Sequence, residues 1–269
     1  MSPSSIRDEA ADADVPATTT DAFLGGKVTV RQPARGHRSG FDAVVLAASL
    51  PGTTRGTIAD FGAGVGVAGL CAAARLGDVD LVFVERDEAA LVLLHDNLAA
   101  NAPLCRSMRI IAADIGATGR ERVAAGLTAG LADHVIMNPP FHPASRSRHS
   151  PDRTRAAAHM LEDGGLDRWI RAAASVLRPD GTVTVIWRAD EVADLVAALS
   201  RSFGSIDLLP LHARDGAPAH RLLARAKLQS RAPLALLQGL VVHNADGSYR
   251  EAVDAVLRHG AALAIPWRT

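Results

Sequence analysis

The chain has 269 residues, 48% of them apolar and 4% aromatic, with 29 basic and 29 acidic side chains. That length and apolar content support one α/β domain with additions, or two small domains, around a sizeable core. A formal charge of zero argues against a general polyanion binder, no apolar stretch is long enough to span a bilayer, and no apolar-centred leader is evident, so a cytoplasmic protein without a membrane partner is expected.

Residues 1–20 read as a disordered tail of Ser, Asp, Ala, Pro and Thr without periodicity. Asp21-Ala22-Phe23-Leu24-Gly25-Gly26 opens the folded part, and Lys27–Gln32 alternates as a short strand. Gly36-His37-Arg38-Ser39-Gly40 forms a turn before a helix over Phe41–Leu50, with Asp42 early in it, where the helix dipole favours an acid. Strands over Thr57–Phe61, Asp80–Glu85, Met108–Asp114 and Asp133–Met137 then alternate with helices over Val67–Leu76 and Glu88–Ala100. A helix over Leu166–Leu177, a turn at Arg178-Pro179-Asp180-Gly181, a strand over Thr182–Trp187 and a helix over Asp190–Phe203 follow. Ser205–Leu211 and Arg221–Leu228 read as two last strands joined by a hairpin-like loop, ahead of a turn at Asn244–Gly247 and a helix over Tyr249–His259. Strands spaced by helices imply right-handed crossovers and a mostly parallel sheet. The folded domain is expected over residues 21–230, with 231–269 as a C-terminal extension packed on it. Cys71 lies in an apolar helical run and reads as a buried thiol; two cysteines make neither a disulfide framework nor metal-ligand spacing, so no metal is expected.

Four strand ends carry chemistry. The loop Asp60-Phe61-Gly62-Ala63-Gly64-Val65-Gly66 follows the first crossover strand. Glycines there allow a sharp turn and close backbone approach to a ligand, and an opening acid suits a ligand with an amino-acid end. A tight turn without a ligand is the plain alternative. The dinucleotide pattern G-x-G-x-x-G is not met, because position 67 is Val. Glu85 ends the next strand, where a carboxylate can take both hydroxyls of a ribose; the alternative is an ion pair with Arg86 or Arg109. Asp114 ends the third and suits either an adenine amino group or a helix N-cap.

Asn138-Pro139-Pro140-Phe141 follows the fourth strand. Consecutive prolines forbid further ladder bonds and stiffen the chain. The Asn138 side-chain oxygen and the Pro139 carbonyl are thereby left as acceptors for the two hydrogens of an exocyclic amine. Such an amine is a poor nucleophile because its lone pair is delocalised, so gripping both hydrogens orients it for attack. Phe141 offers an apolar face for a planar group. Just beyond, Arg146, Arg148, Arg153 and Arg155 form a basic run, which suits phosphate contacts or, equally, a solvated loop.

With these motifs in this order, the chain resembles class I S-adenosylmethionine-dependent methyltransferases of the N6-adenine type, in particular the bacterial tRNA1(Val) (adenine-37-N6)-methyltransferase group. Gly36–Asp42, Asp21–Gly26 and Arg178–Gly181 fit that group too. The resemblance spans about Asp21 to Tyr249. It implies a Rossmann-like α/β fold: a mostly parallel seven-stranded sheet with helices on both faces and the last strand antiparallel. It implies S-adenosylmethionine as cofactor, held by Arg38, Asp60, Gly62, Ala63, Gly64, Gly66, Glu85, Arg86, Asp114 and Ile115. It places methyl transfer at Asn138, Pro139, Pro140 and Phe141, and an RNA substrate, with tRNA as the leading carrier, against Arg146, Arg148, Arg153 and Arg155, in a monomer or homodimer. The same tetrapeptide also serves enzymes that methylate glutamine amides in proteins, and a small-molecule acceptor is a third reading.

Overall fold

The structure, a computed structural model, describes residues 17–36, 38–140 and 165–268. Thr18–Phe23 forms β1, so the boundary expected after Thr20 falls inside a strand. This strand pairs antiparallel with β2 (Val28–Pro33) around a short 3-10 turn at Leu24–Gly26. The remaining strands are β3 (Gly56–Phe61), β4 (Val79–Glu85), β5 (Ser107–Ala112), β6 (Ala132–Met137), β7 (Leu177–Arg188), β8 (Phe203–His212) and β9 (Ala219–Leu228). The helices are α1 (Phe41–Ala48), α2 (Val67–Leu76), α3 (Glu88–Ala100), α4 (Gly119–Ala124), α5 (Gly165–Val176), α6 (Val192–Leu199) and α7 (Glu251–His259).

Seven strands order as β8-β9-β7-β6-β3-β4-β5, with β9 antiparallel to both neighbours and the other pairings parallel. The expected sheet is thus present, with the last of its seven strands inserted rather than at the edge. Two-residue strands β10 (Ala235–Leu236) and β11 (Leu240–Val241), unforeseen, add in parallel to β8. The central strands are apolar on both faces because helices cover both. One core cluster includes Ile58, Leu81 and Ile136 with α1 and α2, and the other includes Ala59, Val82 and Val135 with α5 and α6. From β3 the chain builds outward through β4 and β5, then returns to build the other way through β6 and β7. The carboxyl ends of β3 and β6 are therefore neighbours at the point where strand order reverses, where open α/β sheets bind ligands.

Two expected boundaries move. Arg178–Gly181 is no free turn: β7 begins at Leu177, and its stretch from Leu177 to Thr182 is matched by only Ala132 to His134 of β6. The four-residue segment bulges out of the strand with Asp180 in the left-handed region. The helix expected over Asp190–Phe203 is a 3-10 turn at Ala189–Glu191 followed by α6, which stops at Leu199 because Phe203 is already paired with Leu228.

The C-terminal residues are tied down at several points. The α7 helix packs against α1 and the Leu24–Gly26 turn. Leu263 N–H donates to Ala48 O, and the Trp267 indole N–H to Ser49 O at 2.8 Å. Arg268 donates its backbone N–H and its guanidinium to Asp207, which is 1% exposed. Beneath them Arg75 donates to Ala47 O, Leu50 O and Gly260 O, satisfying carbonyls at the ends of α1 and α7.

Candidate active site

One cavity of about 1030 Å³ opens at the carboxyl ends of β3, β4, β5 and β6. Asp60, Gly62, Ala63, Gly64, Glu85, Arg86, Asp114, Ile115, Asn138 and Pro140 all line it, so most of the expected site is brought together. Pro139 is buried beside it without lining it. Arg38 and Gly66 do not line it either. Arg38 pairs with Asp21 at 2.6 Å, on the carboxylate oxygen that also accepts from the cavity-lining Gln32. Gly66 is the N-cap of α2 with φ +94, a left-handed conformation that explains its glycine. Phe141, Arg146, Arg148, Arg153 and Arg155 lie outside the described residues.

The loop after β3 spends its amides on the fold. Gly62 and Ala63 donate to Val84 O, Gly64 to Glu85 Oε2, and Gly66 to Ala63 O. Such a loop has few N–H groups left for a pyrophosphate, which is the physical counterpart of the missing dinucleotide spacing. What it presents instead is Asp60. That carboxylate is 2% exposed and accepts from Gly69 N at 2.8 Å. Burial raises its pKa to about 7; the Gly69 amide opposes the rise and the nearby Glu85 adds to it. A buried acid so short of positive charge is matched to a cationic partner such as an α-ammonium. Gly69, unremarked in the sequence, makes the contact, and it must be glycine because a Cβ there would collide with the Phe83 ring.

Glu85 is held by backbone alone. Oε2 accepts from Gly64 N, and Oε1 from Arg86 N and Asp87 N, at 2.8 to 2.9 Å. Among the described residues neither arginine side chain pairs with it, which removes the ion-pair alternative. A carboxylate offers about four lone-pair positions, so a ribose taking both oxygens shares Glu85 with these amides. Asp114 is not a helix cap. Its Oδ1 accepts from Gly116 N at 2.7 Å, and its Oδ2 pairs with Arg86 at 2.8 Å. The cap of α4 is Thr118, in a reciprocal capping box with Glu121.

Asn138 supplies the sharpest observation. Among the described residues its buried Oδ1 has no hydrogen-bond partner. An unpaired buried acceptor costs roughly 1–3 kcal/mol, so it calls for a donor, whether water or ligand.

Several contributors were not foreseen. Gln32, 1% exposed, lines the cavity and clasps Ser39, accepting from its N–H at 2.9 Å and donating to its carbonyl at 3.2 Å. Asn97 on α3 and Asn101 at its C-cap complete the outer edge of β2: Asn97 exchanges hydrogen bonds with the Arg31 backbone and Asn101 with that of Thr29. Asn97 also donates to Val65 O at 2.9 Å, fixing β2 to the glycine loop. Gly165, Arg168 and Trp169 of α5 form another wall of the cavity. The signal for the asparagines was present as two poor helix formers one turn apart in an apolar helix.

Cys71 is buried as expected, and burial pushes its thiol up to about 12. Among the described residues no cluster of three or more His, Cys, Asp or Glu could hold a metal ion, and no helix is long and apolar enough to cross a membrane.

A reversing parallel sheet with an inserted antiparallel strand, a buried acid under a glycine loop and a further acid at the next strand end define a class I methyltransferase. The family model described as Methyltransferase small domain matches residues 41–214, and the chain belongs to that family of S-adenosylmethionine-dependent enzymes. It is 27% identical over 217 residues to the tRNA1(Val) (adenine(37)-N6)-methyltransferase of Shewanella sp. (strain W3-18-1), covering 79% of this chain and 87% of that one. It is 27% identical over 255 residues to the enzyme of the same name from Dickeya chrysanthemi (strain Ech1591), covering 90% and 95%. Among solved structures, a predicted O-methyltransferase, protein Atu636 from Agrobacterium tumefaciens, matches with TM-score 0.69 and 30% identity over 84% of this chain and 99% of that one. M. jannaschii TYW2 in complex with AdoMet shares the fold, with TM-score 0.52 and 14% identity over 79% and 86%.

Proposed function

We propose that the protein transfers a methyl group from S-adenosylmethionine to the N6 amino group of an adenine in RNA, with tRNA as the carrier. The buried Oδ1 of Asn138, unpartnered among the described residues and in the same cavity as Asp60 and Glu85, carries this reading. The cavity's donors and acceptors fit the cofactor: Asp60 answers the α-ammonium, Glu85 the ribose hydroxyls, Asp114 the adenine amino group, and Ile115 gives the ring an apolar neighbour. Bound there, S-adenosylmethionine supplies an electrophilic methyl group on a sulfonium.

The chain's own part is positional. Asn138 Oδ1 accepts one N–H of the acceptor amine, and the Pro139 carbonyl is assigned the other. Holding both hydrogens turns the lone pair toward the donor and favours pyramidal nitrogen as the bond forms. The proton leaves after transfer, so no strong base is required. Phe141 and the arginines at 146, 148, 153 and 155 are assigned to base stacking and phosphate contact on the sequence pattern. The names of the Shewanella and Dickeya relatives support RNA as the carrier.

The name of the Agrobacterium structure favours an oxygen acceptor as second reading. A hydroxyl has one hydrogen to give Asn138 and calls for a base, and no histidine lines the cavity among the described residues. Incubation with labelled S-adenosylmethionine and, separately, tRNA, protein and small metabolites from cells lacking the enzyme tests the proposal. Label is expected in tRNA; label confined to protein or metabolites overturns it.

A further inference from the structure

The N-terminal turn of α5 forms one wall of the cavity. Gly165, Arg168 and Trp169 line it there together with Asn138 and Pro140. Arg168 donates to Gly116 O at 3.3 Å, and Ile170, Ala172 and Ala173 are buried in the core, so the turn is anchored. Trp169 is the only aromatic side chain among the described residues that line this cavity, in a chain with only 4% aromatics. It is partly exposed, whereas the adjoining Ile170 is buried.

The indole has a place made for it. Its six-membered ring lies against Gly62: a Cβ on that residue would collide with Trp169 Cη2 and stand 2.9 Å from Cζ3. Gly62 also has φ +68. The first glycine of the loop's series is therefore held to glycine twice, once by its backbone and once by the indole. Trp169 packs in part against the core, and it also lies on the glycine loop, lines the same cavity as Asn138 and keeps surface exposed.

We propose that Trp169 is a specificity-determining residue: it supplies the aromatic wall against which a planar heteroaromatic acceptor is held beside Asn138. The inference rests on the acceptor reading given above and narrows it. A ring carrying an amino group gains stacking energy from an indole, whereas a glutamine side chain or an aliphatic alcohol has no aromatic face to offer. Asn138 then recognises the amine and Trp169 the ring that bears it.

Trp169→Leu keeps an apolar side chain and removes the π-surface; Trp169→Phe keeps a smaller one. One stacked base corresponds to roughly 5- to 150-fold in affinity. The KM for the RNA acceptor should rise by that factor in Trp169→Leu and by less than about 5-fold in Trp169→Phe, while calorimetry finds cofactor affinity within about 3-fold of wild type in both. An unchanged KM, or an equal loss of cofactor affinity, overturns the proposal; the latter would assign the indole to the cofactor. If Trp169→Leu does not fold, fluorescence decides. An adenine-bearing oligonucleotide should quench wild-type emission, and Trp169→Phe, with Trp187 and Trp267 intact, should lose that quenching; equal quenching in both overturns it. Wild-type enzyme that labels no RNA refutes the acceptor reading and this inference with it. Wild-type labelling with an unaltered Trp169→Leu refutes this inference alone.

Discussion

Replacing Asp60 by asparagine tests the site through stability as well as activity. The buried carboxyl titrates at about 7, against 3.8 for an ordinary aspartate. Each unit corresponds to about 1.36 kcal/mol, so an ionised Asp60 costs the fold about 4 kcal/mol. The sign follows from proton binding. Below about pH 4 both folded and unfolded chains hold the proton and nothing is lost. Between about 4 and 7 the unfolded chain ionises while the folded one does not, so stability falls as pH rises. Above about 7 both are ionised and the cost is constant. The amide in Asp60→Asn cannot ionise, and its oxygen can still accept from Gly69 N. Urea unfolding of the cofactor-free protein should therefore show the variant close to wild type near about pH 3.5 and more stable by up to about 4 kcal/mol at about pH 8. Function should move the other way. Losing a charge-assisted contact of roughly 1.5–3 kcal/mol weakens cofactor binding by about 10- to 150-fold. Wild-type affinity should also decline below about pH 7, a decline the variant lacks. A variant less stable than wild type under alkaline conditions, or a stability gap independent of pH, refutes the reasoning.

Other consequences are as direct. Asn138→Ala should abolish transfer and leave cofactor affinity, by calorimetry, within about 3-fold of wild type; equal loss of both would make Asn138 structural. Asn97→Ala strips the Arg31 backbone and Val65 O of partners and should cost about 3 kcal/mol in urea unfolding; a loss under about 0.5 kcal/mol would show that water replaces the amide. Cys71, buried with its thiol pushed up to about 12, should resist thiol reagents in the folded protein while Cys105 reacts; equal rates would show local opening around α2.

The run from β3 to α3 was legible almost to the residue, because buried apolar strands end in glycine or acid where helical periodicity begins. The strand-end acids were legible for the same reason: the sheet's carboxyl edge is where chain order meets chemistry. What hides is whatever depends on a partner that local pattern does not show. The Asp21 that pairs with Arg38 is one such partner, far from it in local pattern. Asn97 and Asn101 read as ordinary helix polar residues until β2 arrives with an open edge. Trp169 reads as one more apolar residue of an amphipathic helix, since nothing local shows that Gly62 lies against its ring. The bulge at Arg178–Gly181 has a turn's composition, and only the register between β6 and β7 shows that the strand runs through it. The strands β10 and β11 are too short for any periodicity.

The most direct test of the central claim is the chemical identity of the product. Unmodified tRNA from cells lacking the enzyme is incubated with S-adenosylmethionine and wild-type or Asn138→Ala protein, digested to nucleosides and resolved by mass spectrometry against authentic standards. The account predicts N6-methyladenosine from the wild type and none from the variant. A methylated ribose, another methylated base, or N6-methyladenosine formed equally by both proteins would contradict it.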